Sequence, residues 1–198
     1  GTQPDLVLVG YSKGAPDILE AIVDYPEIHH RVAAVVSAAG SVGGSPLAND
    51  ADQSQLNMLQ HFPGSRCTPG DEGALDSLRP DTRKAWLAEN TLPEGIPYYS
   101  LMTFPEPERI SSILRGSYKK IGKVDARNDS QVIFYDQFIP DSSLVAYLNA
   151  DHWALAVPIA RTHDIVGEIL VDRKDFPREA LHEAQLRFIE EDLQDKGN

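Results

Sequence analysis

The chain has 198 residues, 41% of them hydrophobic, and a formal net charge of −12. This length supports one domain that buries roughly 70% of its unfolded surface, and the hydrophobic share excludes a disordered chain. The acidic balance argues against non-specific nucleic-acid binding, which needs clustered Lys and Arg, and no apolar run reaches the length of a membrane span.

Residues 5–9 (DLVLV) are a continuous apolar run that ends at Gly10, which predicts a short buried strand. Residues 14–24 predict a helix with Ile18, Leu19, Ile22 and Val23 on one face. After a loop at "YPEIHH", residues 31–37 (RVAAVVS) predict a second strand that is apolar on both faces. Strand, helix and strand in this succession make a βαβ unit with parallel pairing and a right-handed crossover. Residues 38–73 are rich in Gly, Ser, Pro, Asp and Asn and read as a long excursion, with some helix around "QSQLNMLQHF". A helical piece follows Pro80 within residues 74–90, and a third strand lies at 97–103. A helix around 107–116, a fourth strand at 144–148 and a closing helix at 178–193 complete the chain. No internal repeat or low-complexity linker divides it. The pattern is α/β, a mostly parallel sheet with flanking helices and one long insertion after the second strand.

Gly10-Tyr11-Ser12-Lys13-Gly14 matches G-x-S-x-G between the first strand and the first helix. A serine on such a sharp turn projects its hydroxyl beyond the sheet. The flanking glycines are expected to remove side chains that would collide across the turn. The next backbone N–H, that of Lys13, can donate to a developing oxyanion near the positive end of the helix. A serine alone is a poor nucleophile, so a base and an orienting acid are needed. In this architecture the order is Ser, then acid, then His. Of the six histidines, His29 and His30 lie at the far end of the sheet and read as surface residues. His61 precedes the acid candidates, and His163 and His182 fall in the C-terminal helical region. His152 follows the fourth strand after a short turn, where catalytic groups collect in an open α/β sheet, and is the candidate base. Asp125, Asp129, Asp136 and Asp141 lie between the third and fourth strands. Asp129, in the polar turn "ARNDSQV", is the favoured acid, with Asp136 next. Asp151 adjoins His152, but neighbouring loop side chains seldom meet well.

Further segments fall in a familiar order. "SAAGSVGGSPLAND" (37–50) resembles the "TPHxGSPLAD" segment of bacterial lipases, and "ALDSLRPDTRKAWL" (74–87) before "GIPYYSL" resembles their return from the lid. "NDSQV" (128–132) resembles the "NDGxV" that carries their acid, which implies Asp129 rather than Asp136. His152, 23 positions later, lies close to their acid-to-histidine separation. From Asp5 to about Pro158 the chain thus resembles the C-terminal part of a lipase or esterase of the α/β-hydrolase fold, in the bacterial-lipase and acyltransferase-like branch. The resemblance implies strands equivalent to the fifth to eighth of that fold and no cofactor. Tyr11 stands where histidine is frequent, and Ser130 replaces the usual glycine. Trp153 and Ala154 replace a "LD" pair that helps hold calcium, so no metal is expected, and the single Cys67 leaves no lid disulfide. The family places four strands before the elbow and takes its second oxyanion donor from the loop after the third. The expectation is therefore a single domain over 1–198 lacking its N-terminal strands. The open edge at 5–9 would invite a missing N-terminal half or a second copy.

By the same resemblance residues 43–95 are a lid or cap insertion. Leu56, Met58, Leu59, Phe62 and Trp86 would line an acyl pocket or pack the insertion itself. Tyr11 and Trp153 are further substrate-contact candidates, with Trp153 also suited to packing the histidine loop. Arg115, Lys119, Lys120, Lys123 and Arg127 form a basic cluster that reads first as a solvated helix end. The expected function is a serine hydrolase cleaving a small acyl ester or lipid through Ser12, Asp129 and His152. The alternatives are a thioesterase or acyltransferase using the same residues, or an incomplete fragment serving as an interaction or dimerisation module. The cysteine usage slightly favours the cytoplasm.

Overall fold

The computed structural model describes residues 6–49, 73–156 and 176–196. Four parallel strands, β1 (Leu6–Tyr11), β2 (Val32–Ala38), β3 (Tyr98–Thr103) and β4 (Ser143–Leu148), lie side by side in that order. Their bounds fall within two residues of the sequence expectation. The helices among the described residues are α1 (Gly14–Asp24), α2 (Gly73–Asp76), α3 (Pro80–Glu89), α4 (Arg115–Ile121), α5 (His152–Ala156) and α6 (Arg178–Lys196). None is long and apolar enough to cross a membrane.

β2 is central and almost wholly buried, which is why its sequence is apolar throughout rather than alternating. On one face of the sheet, Ala15, Leu19 and Ile22 of α1 pack with Val32, Val35, Val42, Ile96 and Ile139. Leu19 and Ile22 are fully buried, each worth about 1.5–3 kcal/mol. On the other face, Ile189 of α6 joins Ala34, Val36, Tyr99 and Leu101, with Leu181 and Leu193 beside it. The Tyr99 hydroxyl donates to Asp192 Oδ2 at 2.5 Å, which fixes α6 to β3. Helices on both faces of a parallel sheet make three layers. Because every strand runs the same way, the segments after Tyr11, Ala38, Thr103 and Leu148 all emerge at one rim of the sheet.

The segment after β2 is tied to the residues that lead into α3. Ser45 N–H donates to Leu78 O at 2.8 Å, and Gly44, at φ +92°, leaves no room for a Cβ against the Pro80 backbone. Arg83 in α3 is buried; its guanidinium pairs with Glu20 of α1, donates from Nε to Val42 O at 3.1 Å and stacks on Trp86. The expected helix around "QSQLNMLQHF" lies outside the described residues, and so do Leu56, Met58, Leu59, His61, Phe62, Cys67 and His163.

Three expectations need correction. β1 is not a buried strand: only its Gly10 is buried, because β1 is the outer strand of the sheet among the described residues. Residues 107–116 are not one helix: two 3₁₀ turns, Pro107–Arg109 and Ser112–Leu114, precede α4. Ser111 gives both its N–H and its hydroxyl to the Asp151 carboxylate, so the chain is pinned where the helix would have run. "YPEIHH" is a 3₁₀ stretch, Pro26–Arg31, and His29 is half-buried with Nε2 2.7 Å from Ile22 O, so it serves the end of α1.

Candidate active site

A sharp turn joins β1 to α1. Ser12 follows β1 at φ +53°, a strained conformation for a residue with a Cβ. Its N–H donates to Ala38 O at 3.3 Å, and its carbonyl accepts from Ala15 and Ser41 N–H at 3.2 and 3.0 Å. These bonds hold the turn against the end of β2 and the start of α1. Gly10 is sterically required, since a Cβ there would sit 2.5 Å from Ala15 Cα. Gly14 is not: a Cβ there would meet nothing within 4 Å, so only one of the two glycines has the role expected of both. The Lys13 side chain pairs with Asp17, and its backbone N–H has no hydrogen-bond partner among the described residues.

His152 opens α5 and is 3% exposed. Asp151 caps that helix, accepting from Ala154 N–H at 2.8 Å through Oδ1. The other Asp151 oxygen holds Ser111, so this buried carboxylate fixes the histidine loop to the segment after β3. Asp151 therefore does not meet the ring of His152.

His152 Nε2 is 2.8 Å from Ser12 Oγ, and Nδ1 is 2.7 Å from Asp129 Oδ2. His152 N–H also donates to Asp129 O at 3.0 Å. Asp129 is fully buried. Its Oδ1 accepts from Gln131 and Val132 N–H at 2.9 and 2.8 Å. Its Oδ2 accepts from Thr103 Oγ1 at 2.7 Å and Gln137 Nε2 at 3.3 Å. A buried carboxylate needs this many donors, because nothing else replaces its lost hydration.

Thr103 and Gln137 were not among the sequence candidates. Gln137 lies along the end of β3 as a further strand would: Oε1 accepts Thr103 N–H at 2.6 Å and Nε2 donates to Thr103 O at 2.8 Å. Its own carbonyl accepts from Ser37 Oγ of β2 at 3.0 Å. The signal available in the sequence was a threonine ending an apolar strand and a polar pair, Asp136-Gln137, inside an apolar stretch.

Asp136, the second acid candidate, is buried but points elsewhere. Its carboxylate lies 3.9 Å from Lys84 of α3, and its carbonyl accepts Gly43 N–H at 2.7 Å. Burial pushes its carboxyl up to about 6, with Lys84 acting in the opposite direction. Tyr11 is half-buried with its ring against His152, and Trp153 is half-buried next to the histidine. Of the basic cluster, Arg127 pairs with Asp125 and stacks on Phe134 at 4.3 Å, while Lys119 and Lys123 are exposed.

A hydroxyl, an imidazole and a buried carboxylate in one hydrogen-bonded line can activate the hydroxyl for attack on an acyl carbon. Comparison with solved structures gives the family. The metagenomic carboxyl esterase MGS0156 is 44% identical and superposes with a TM-score of 0.86 over 95% of this chain. The chain belongs to the α/β-hydrolase family. This α/β-hydrolase chain spans 57% of the length of that esterase. Bacillus licheniformis lipase BlEst2 shares the fold at 21% identity. In its mature form it matches with a TM-score of 0.62 over 80% of this chain and 65% of its own. In its propeptide form the TM-score is 0.60 over 80% and 35%. No family model matches the chain, and no curated protein matches it.

Proposed function

We propose that this chain carries the nucleophile, acid and base of a carboxylic ester hydrolase. The observation that carries the reading is the line from Ser12 Oγ through His152 to Asp129, with both links at hydrogen-bond length. The likeness to a carboxyl esterase at 44% identity supports an ester as substrate. Ser12 Oγ attacks the ester carbonyl while His152 Nε2 takes its proton. The resulting oxyanion is met by the Lys13 N–H at the start of α1. His152 then delivers the proton to the leaving alcohol. Water, activated by the same imidazole, releases the acid and restores the serine. Asp129 holds the tautomer with Nδ1–H and stabilises the imidazolium that forms.

In this reading the four strands correspond to the fifth to eighth of the hydrolase sheet, and residues 43–95 are a lid or cap insertion. A thioesterase or acyltransferase would use the same residues with a different acceptor. An association role has its own support in the outer edge of β1, which is unpaired among the described residues, with Leu6 and Val9 39% and 41% exposed. A further strand, from the flanking polypeptide or from a second copy, would cover that edge. Assaying p-nitrophenyl esters of increasing chain length, thioesters and acyl acceptors with the natural full-length protein tests the reaction class. Hydrolysis of oxygen esters that is lost in Ser12→Ala supports the proposal, and hydrolysis that survives the change rejects it.

A further inference from the structure

Tyr11 is the last residue of β1 and directly precedes Ser12. Its hydroxyl donates to the carbonyl of His152 at 2.7 Å, and its ring centroid lies 5.0 Å from the imidazole, inclined by 34°. One side chain therefore touches both the backbone and the ring of the base. The opposite side of the His152 backbone is also held, because its N–H donates to Asp129 O. The hydroxyl is thus committed within the protein and is not offered to a substrate. Burial, and then the charges of Asp129 and Asp151, push the Tyr11 phenol well above its ordinary range, so it remains a proton donor.

We infer that Tyr11 is a positioning residue: it clamps the His152 loop to the strand end that carries Ser12 and so fixes the imidazole in line with the hydroxyl. This rests on the Ser12–His152–Asp129 reading and adds to it a direct tie between the nucleophile's strand and the base. The contact has a physical reason to matter. Ser12 and His152 are 140 residues apart in the chain, and a displacement of about 1 Å between reacting groups can cost on the order of 10²-fold in rate. The Asp151–Ser111 bonds anchor the same loop independently, so loss of the Tyr11 hydroxyl leaves the loop in place but loosens the ring's alignment.

The test is Tyr11→Phe, which keeps the ring and removes the hydroxyl, beside Tyr11→Leu, which removes both. Both are made in the natural full-length protein. kcat and KM for a p-nitrophenyl ester are measured per active site, counted by fluorophosphonate titration, together with the rate of that labelling. Tyr11→Phe is expected to lower kcat and the labelling rate together, by about 10-fold, with KM within about twofold; Tyr11→Leu is expected to lower them by about 100-fold. Unchanged kcat and labelling rates overturn the inference. A raised KM at unchanged kcat also overturns it and makes Tyr11 a substrate contact. A Ser12→Ala control separates the two levels. Labelling that persists in Ser12→Ala defeats the catalytic reading itself, whereas Ser12-dependent labelling at wild-type rate in Tyr11→Phe defeats only the clamp.

Discussion

The Asp129 carboxylate has no contact with solvent, and Thr103, Gln137, His152 and two backbone N–H groups take the place of water. Replacing it by Asn should lower kcat by roughly 10⁴ with little change in KM, because the amide would favour the wrong imidazole tautomer. Gln137→Leu should act more mildly. It would strip donors and acceptors from Thr103 and one donor from Asp129, lowering stability by about 1–3 kcal/mol in urea unfolding. The contact of Asp129 with His152 was foreshadowed by the order of Ser, Asp and His after successive strands, which left four acid candidates, and by the polar turn "ARNDSQV", which favoured Asp129. Thr103 and Gln137 were not, since nothing local marks a strand-end threonine or a glutamine in an apolar stretch as facing a carboxylate. Asp136 titrates in its own right. Its folded carboxyl is raised from 3.8 to about 6, so the folded state holds the proton more tightly than the unfolded chain. Its stabilising contribution is complete below about pH 4 and is lost as pH rises through about 6. Between those limits wild type should lose on the order of 1–3 kcal/mol relative to Asp136→Asn, read as the difference of their unfolding curves against pH.

At the scale of elements, the strand–turn–helix around Ser12 depends on one close approach. Gly10→Ala would force a Cβ into the backbone of Ala15, and should cost about 1–3 kcal/mol or prevent folding. Gly14→Ala meets open space and should change the melting temperature little or raise it. Thermal melts of the two variants separate the steric role of Gly10 from the mere presence of a motif glycine. β2, β3 and α1 were readable because their apolar patterns match their burial, whereas β1 and β4 are apolar runs that stay partly exposed at the sheet's edges. The segment after β3 was not, because Asp151, far along the chain, decides where α4 begins by holding Ser111. Ser130 sits at φ +85° with a buried hydroxyl that has no partner among the described residues. Ser130→Gly should therefore stabilise the chain by roughly 1 kcal/mol.

At the scale of the whole molecule, four parallel strands with helices on both faces bring four segments to one rim. Ser12, Asp129 and His152 meet there from positions spread over most of the chain. The fold was legible as a class from the alternation of apolar strands with helices. The closure of the site across that rim was legible only as an order of motifs, since the distances depend on packing between elements far apart in sequence. The proposed chemistry stands or falls with Ser12 as the nucleophile. The most direct measurement is fluorophosphonate labelling of the natural full-length protein, with the modified residue located by peptide mass spectrometry. A single adduct on Ser12 is expected, abolished in Ser12→Ala and strongly slowed when His152 is replaced by Ala. An adduct on another residue, or full labelling without Ser12, would contradict it.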